Sequence, residues 1–189
     1  MIACLLLPYF AAAIERRFSS ALASTPLLLA EGPRIFAMSA EAAVCGVRPG
    51  MALNQARSLC PQARLIPANP VQYQQTLNEI LALLAEVSPK LETETDQTAT
   101  MIYADCGALN GRAQLALAAD IQQTIRAAVY MVPAIGLATG KFPAYIAADA
   151  IGLNRSLLIA PGQETGFLAP LPVSYLPLDR ELARRFQLL

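Results

Sequence analysis

The sequence predicts an α/β protein, and three patterns carry that prediction. Ile2 to Leu7 (IACLLL) is a short continuous apolar run of the kind expected for a strand buried on both faces, and Ala134 to Ala138 reads as another strand. Longer runs after Pro70 and from Ala113 to Tyr130 repeat apolar residues at helical spacing. The third pattern is Ser39 to Pro61 (SAEAAVCGVRPGMALNQARSLCP), which reads as two short helices about a hard turn.

Taken in order, the first strand is closed by Pro8. The helix from Tyr9 to Phe18 carries Glu15, Arg16 and Arg17 on its polar side, and Ser19, Ser20, Ser24 and Thr25 mark a loop. Pro26 to Ala30 and Ile35 to Met38 read as strands joined by the turn Glu31-Gly32-Pro33-Arg34. Gly46 supplies the left-handed residue that ends the first short helix, and Arg48-Pro49-Gly50 reverses the chain. Leu53, Ala56 and Leu59 or Cys60 then form the inner face of the second, which Pro61 stops.

Ala63 to Ile66 is strand-like. Asn69 is an N-cap with Pro70 at the first helical position, opening a long helix whose inner face is Tyr73, Leu77, Ile80, Leu81, Leu84 and Val87. Met101 to Asp105 is a further strand. Leu117, Ile121, Ile125 and Val129 line the next helix, Leu157 to Ala160 is a last strand, and Pro161 to Gly166 is a loop. Asp179 caps a final helix with Leu182 and Phe186 inside.

Composition narrows the function classes. The chain has 189 residues, 55% of them hydrophobic, enough for one large domain or two small ones. No apolar run approaches the roughly twenty residues of a bilayer span, and Met1 to Ala13 lacks the positive lead of a signal peptide, so a soluble cytoplasmic protein is expected. Cys4, Cys45, Cys60 and Cys106 are scattered and there is no His, which supports neither a disulfide framework nor a zinc site. Fourteen basic and fourteen acidic residues cancel, without the basic excess of an autonomous DNA-gripping protein.

The stretch Ser39 to Pro61 resembles the fingers segment of Y-family (translesion, UmuC/DinB-like) DNA polymerases, S-Y-E-A-R-x-x-G-V-x-x-G-M-x-x-x-x-A-x-x-x-C-P. Ser39, Glu41, Ala42, Gly46, Val47 and Gly50 fall in register, as do Met51, Ala56, Cys60 and Pro61. Ser88-Pro89-Lys90-Leu91-Glu92 is similar to the family's S-P-x-[VI]-E, residues 135–152 to its S-x-G-I-A-x-N-K segment, and Phe167 to Val173 to its thumb entry. The resemblance implies a polymerase palm: a mixed sheet from the four apolar strands with helices on one face, and a small α/β fingers unit inserted after the first strand. The implied division is palm at 1–18, fingers at 19–70, palm again at 71–168, and only the start of a thumb at 169–189. With the thumb cut short, Leu168, Leu171, Leu182 and Phe186 are expected to form a self-associating surface.

The departures from the family's pattern bear on chemistry. Its first metal-binding Asp falls on Leu7, or on Pro8 if the helix sets the register, with the partner two residues earlier on Leu5 or Leu6. Its Asp-Glu pair falls on Thr100 and Met101, or in a second register on Gln97 and Thr98, where a bulge at Asp96 would return one carboxylate. The triphosphate-holding Tyr and Arg are Ala40 and Ala43, and the second Lys is Tyr145. Tyr9, Phe10 and Lys141 remain as residual nucleotide-site candidates. On their own terms Tyr9 and Phe10 read as core aromatics, Lys141 as a solvated loop residue, and Asp105 and Asp149 as caps. No catalytic residue, metal ligand or cofactor is then expected.

This set of losses is similar to the ImuB-type branch, whose members act as non-catalytic adaptors in bacterial mutagenic repair. That resemblance implies a nucleoid-associated protein whose partners are a sliding clamp, a replicative-type polymerase and weakly held DNA. An active lesion-bypass polymerase with displaced acids, which would need Mg²⁺, and a fragment serving only association stay open beside it.

Overall fold

A computed structural model describes residues 1–96, 98–107, 111–172 and 175–176. The strand β1 (Ile2–Pro8) is followed by α1 (Phe10–Phe18). Next come the hairpin β2 (Leu27–Glu31) and β3 (Arg34–Met38), the short helices α2 (Ala40–Val44) and α3 (Leu53–Leu59), and β4 (Arg64–Pro67). After α4 (Pro70–Ala85) run β5 (Leu91–Thr95), β6 (Ala99–Asp105), α5 (Gly111–Val129) and β7 (Ala134–Ala138). Then α6 (Lys141–Ile151), β8 (Ser156–Leu158) and α7 (Glu164–Leu168) complete the described elements.

Two sheets result. The larger has the order β5-β6-β1-β7-β8, antiparallel except for the parallel pair β7 and β8, so it is mixed, as expected. The smaller, β3-β2-β4, lies in sequence between α1 and α4 and has its own core of Leu28, Ile35, Met38, Ala42, Val47 and Ala56.

β1 is central because it is apolar on both faces. Leu5 and Leu7 pack with Ile102, Ile135, Ile80 and Ile125 beneath α4 and α5. Cys4 and Leu6 point the other way and share a second cluster with Met101, Tyr103, Ala144 and Ala148. The two long helices thus cover one face as expected, and α6 adds cover to the other. That helix comes close because Gly136, which pairs with Cys4, has no side chain. Asn69 caps α4 as expected, its side chain accepting from the N–H of Gln72, with Pro70 at the first position.

Several elements depart from expectation. The larger sheet has a fifth strand, β5, which the four-strand reading left out; its outward residues are exposed, so it lacks the apolar run that marks a buried strand. α4 stops at Ala85, and Val87 is exposed rather than inside. The loop after Pro161 gives way at Glu164 to α7, where Glu164 accepts from the Gly162 N–H and the Thr139 hydroxyl. Leu168 and Leu171 are half-buried, and the final helix with Leu182 and Phe186 lies outside the described residues. Among the described residues no helix is long and apolar enough to cross a membrane.

The contact between β7 and α6 generates a prediction. A methyl on Gly136 would sit 1.9 Å from the Ala144 carbonyl oxygen and 2.5 Å from the Ala148 nitrogen, both backbone atoms that cannot move aside alone. Gly136→Ala should therefore cost about 3 kcal/mol or more, read as a lowered midpoint in urea unfolding.

Candidate functional site

Strand pairing decides where the residues implicated on β1 and β6 point. Leu7 is opposite Thr100, Leu6 opposite Met101 and Leu5 opposite Ile102. Because directly opposed residues share a face, Leu5, Leu7 and Thr100 all face the helix layer, and Thr100 is buried with its hydroxyl 3.4 Å from that of Thr95. Met101 lies on the other face, beside its partner Leu6. The register with Leu6 and Pro8 is thus the one that brings β1 and Met101 together. The alternative pair at Gln97 and Thr98 is only half open to description, since Gln97 lies outside the described residues. Asp96 there is a turn residue: its Oδ1 accepts from the Thr98 N–H at 2.6 Å, the Thr98 hydroxyl at 3.1 Å and the Ala99 N–H at 2.7 Å.

Two hollows flank this rung. The first, about 320 Å³, opens where the two sheets meet and is lined by Tyr9, Phe10, Phe36, Tyr73, Asp96 and Thr98 among others. Tyr9 holds left-handed backbone (φ 50°), and its N–H donates to the Thr98 carbonyl at 2.6 Å, tying the start of α1 to the β5–β6 turn. Phe36 and Tyr73 stack tilted at 5.8 Å. The Tyr73 hydroxyl donates to Glu15 at 2.6 Å; burial, reinforced by that carboxylate, pushes it above the usual phenol range. Tyr9 and Phe10 are thus partly core, as expected, and also walls of a cavity.

The second hollow, about 290 Å³, lies on the Leu6 face and is lined by Glu94, Met101, Tyr103, Lys141, Tyr145 and Tyr175 among others. Lys141 is not a free loop residue. It opens α6, pairs with Glu92 and places its ammonium 5.6 Å from the centre of the Tyr103 ring. Burial pushes the Cys4 thiol up to about 12 although it hydrogen-bonds Tyr103. Burial also raises Tyr145, with the charges of Asp149 and Asp96 adding to it. Asp149 is no cap: it lies within α6, and its negative charge raises the Tyr175 phenol. Asp105 does close a turn, accepting the Gly107 N–H at 3.0 Å.

Tyr9 and Phe10 therefore belong to one hollow, Lys141 and Tyr145 to the other, and Asp96 lines both. Ala40 and Ala43 lie on α2, Ala43 against the smaller core. The guanidinium nearest in sequence, Arg48, caps that helix by donating to the Ala43 carbonyl at 2.9 Å. Glu92, Glu94, Tyr103 and Tyr175 are site residues the sequence reading missed. The alternation Glu92-x-Glu94 was the available signal, since it puts both carboxylates on one face of a strand. Among the described residues no group of three or more Asp, Glu, Cys or His is placed to hold a metal ion.

A profile of the impB/mucB/samB family matches residues 5–149. The DNA polymerase IV of Yersinia enterocolitica serotype O:8 is 32% identical over 184 residues, covering 94% of this chain and 52% of that protein. That of Methanoculleus marisnigri is 31% identical over 175 residues, covering 89% and 48%. A DinB family error-prone DNA polymerase from Sulfolobus solfataricus shares the fold with a TM-score of 0.85 at 26% identity, over 99% of this chain and 56% of its own. A Dbh ternary complex gives 0.84 at 27%, over 99% and 56%. The chain spans about half the length of the curated relatives it matches.

The joint between the sheets titrates. Burial alone would raise the Glu41 carboxyl, but hydrogen bonds from Ser39 and Arg16, the latter at 2.8 Å, hold it below its ordinary 4.5. A depressed folded-state value stabilises above the unfolded value and is lost as pH falls through the folded one. The melting temperature should therefore fall further in the wild type than in Glu41→Gln as pH drops below 4.5, measured by thermal scans from about pH 6 to about pH 3.

Proposed function

The chain belongs to the impB/mucB/samB family, and from that premise we propose that it is a Y-family polymerase-like module of the ImuB type. On this reading it acts in DNA repair and damage-induced mutagenesis through contacts with other proteins, without itself joining nucleotides. The observation that carries the reading is the rung at Leu6 and Met101. Two-metal phosphoryl transfer needs carboxylate oxygens around ions about 4 Å apart. Leu6, Pro8 and Met101 offer none, so these three positions do not fit the Mg²⁺ pair of an active relative.

Loss of a whole ligand set removes such chemistry by orders of magnitude. The altered triphosphate positions at Ala40, Ala43 and Tyr145 support the same conclusion from a separate part of the site. The proposed division of labour follows the expected one: palm at 1–18 and 71–168, fingers at 19–70, thumb entry at 169–189. Partners would be a sliding clamp and a replicative-type polymerase, with weak DNA contact, in the cytoplasm near the nucleoid.

A second reading, an active lesion-bypass polymerase, has its own support. Matches to DNA polymerase IV proteins run at 31–32% identity over 89–95% of the chain. Glu94 and Asp96 also bring two carboxylates to the hollow beside Met101.

Primer extension separates the two. With an undamaged or abasic template and either Mg²⁺ or Mn²⁺, no product should form, a deficit of about a thousandfold or more against an active relative. Extension that is abolished by Glu94→Gln or Asp96→Asn would establish the second reading instead.

A further inference from the structure

The hollow on the Leu6 face is built for a cation. The chain has six Tyr, six Phe and no Trp, and four of those rings, Tyr103, Phe142, Tyr145 and Tyr175, line this one space. Carboxylates surround them: Glu94 and Asp96 on its wall, Glu92 on the adjoining rung, and Asp149 near enough for its charge to raise Tyr175. Lys141 is the single base in the lining.

Lys141 also shows how the site holds positive charge. Glu92 and Tyr103 are cross-strand partners, and together they take its ammonium between a carboxylate and a ring face. The next rung on that face pairs Glu94 with Met101. Among the described residues no cationic group pairs with Glu94. Tyr145 and Tyr175 line the same space as Glu94.

We propose that this hollow receives an arginine side chain from a basic segment of a partner protein, its guanidinium stacked on the tyrosines and paired with Glu94. A guanidinium suits such a place better than an ammonium because it is flat, weakly hydrated and stacks on aromatic faces. Nucleic acid suits it less. A phosphate backbone laid across Glu92, Glu94 and Asp96 would meet like charge, with one lysine already paired against it. The inference rests on the non-catalytic reading in one respect: the cleft must be free of a primer end.

Fluorescence anisotropy of the full 189-residue chain tests this with a labelled Gly/Ser peptide carrying two arginines and its twin carrying uncharged citrulline. Binding of the first, weakened about tenfold or more by citrulline and about threefold or more by Glu94→Gln or Tyr175→Ala, is the expected result. Both side chains reach solvent, so the variants should fold, which circular dichroism checks. Equal binding of the twin peptides, no binding at about 1 mM, or affinity unchanged in both variants overturns the proposal. Displacement of the peptide by a primer–template duplex also overturns it and assigns the hollow to nucleic acid. Nucleotide incorporation on the same preparations is scored separately, so an active polymerase would be recognised whatever the peptide does.

Discussion

The structure depends on β1 being hydrogen-bonded along both edges and buried on both faces. With a side-chain period of two, Leu5 and Leu7 serve the layer under α4 and α5, while Cys4 and Leu6 serve the layer shared with α6. A polar side chain at any of these positions would have to be satisfied or would cost stability. Carboxylates clustered on one rung repel one another and are tolerated where bound cations offset them. Leu6 against Met101 turns that rung into apolar burial, worth roughly 1.5–3 kcal/mol per fully buried side chain. An apolar rung there is enough to hold the frame, and a frame of this kind does not by itself fix the chemistry.

The second constraint is the joint. The smaller unit meets the larger at α1, and that helix with the residue before it carries polar contacts to both. Arg16 donates to the Leu22 and Thr25 carbonyls and to Glu41; Glu15 takes the Tyr73 hydroxyl; the Tyr9 N–H reaches Thr98. Ser39, fully buried, accepts the Leu27 N–H and so locks α2 onto β2. The hollow between the sheets is shaped by these bonds, which is why its walls combine a helix start, a strand of the smaller sheet and the β5–β6 turn.

Much of this frame was legible in the sequence because apolar runs and helical spacing are local signals. Ala134 to Ala138 forms β7 over the full apolar run, and Asn69-Pro70 caps and opens α4. β5 was missed for a physical reason: an edge strand with exposed Glu92, Thr93 and Glu94 needs no apolar run. The register on β1 was undecidable from sequence, since Leu5, Leu6 and Leu7 are chemically alike and only pairing with β6 tells which of them shares a face with Met101. Lys141 was misread because its partner Glu92 is 49 residues away, a contact no local pattern reports.

Net charge hid as much as it told. Fourteen of each sign cancel over the chain, yet the two sheets do not share them evenly. From Leu27 to Pro67 there are four arginines, Arg34, Arg48, Arg57 and Arg64, against Glu31 and Glu41. The open part of the larger sheet carries the carboxylates of Glu92, Glu94 and Asp96 around one paired lysine. Fields of this kind act locally, within about 10 Å at moderate salt. A phosphate backbone would be drawn to the smaller unit and repelled by the hollow, whereas a basic peptide would feel the reverse. One chain of zero net charge can thus present an anion-seeking and a cation-seeking surface at once, and its composition alone describes neither.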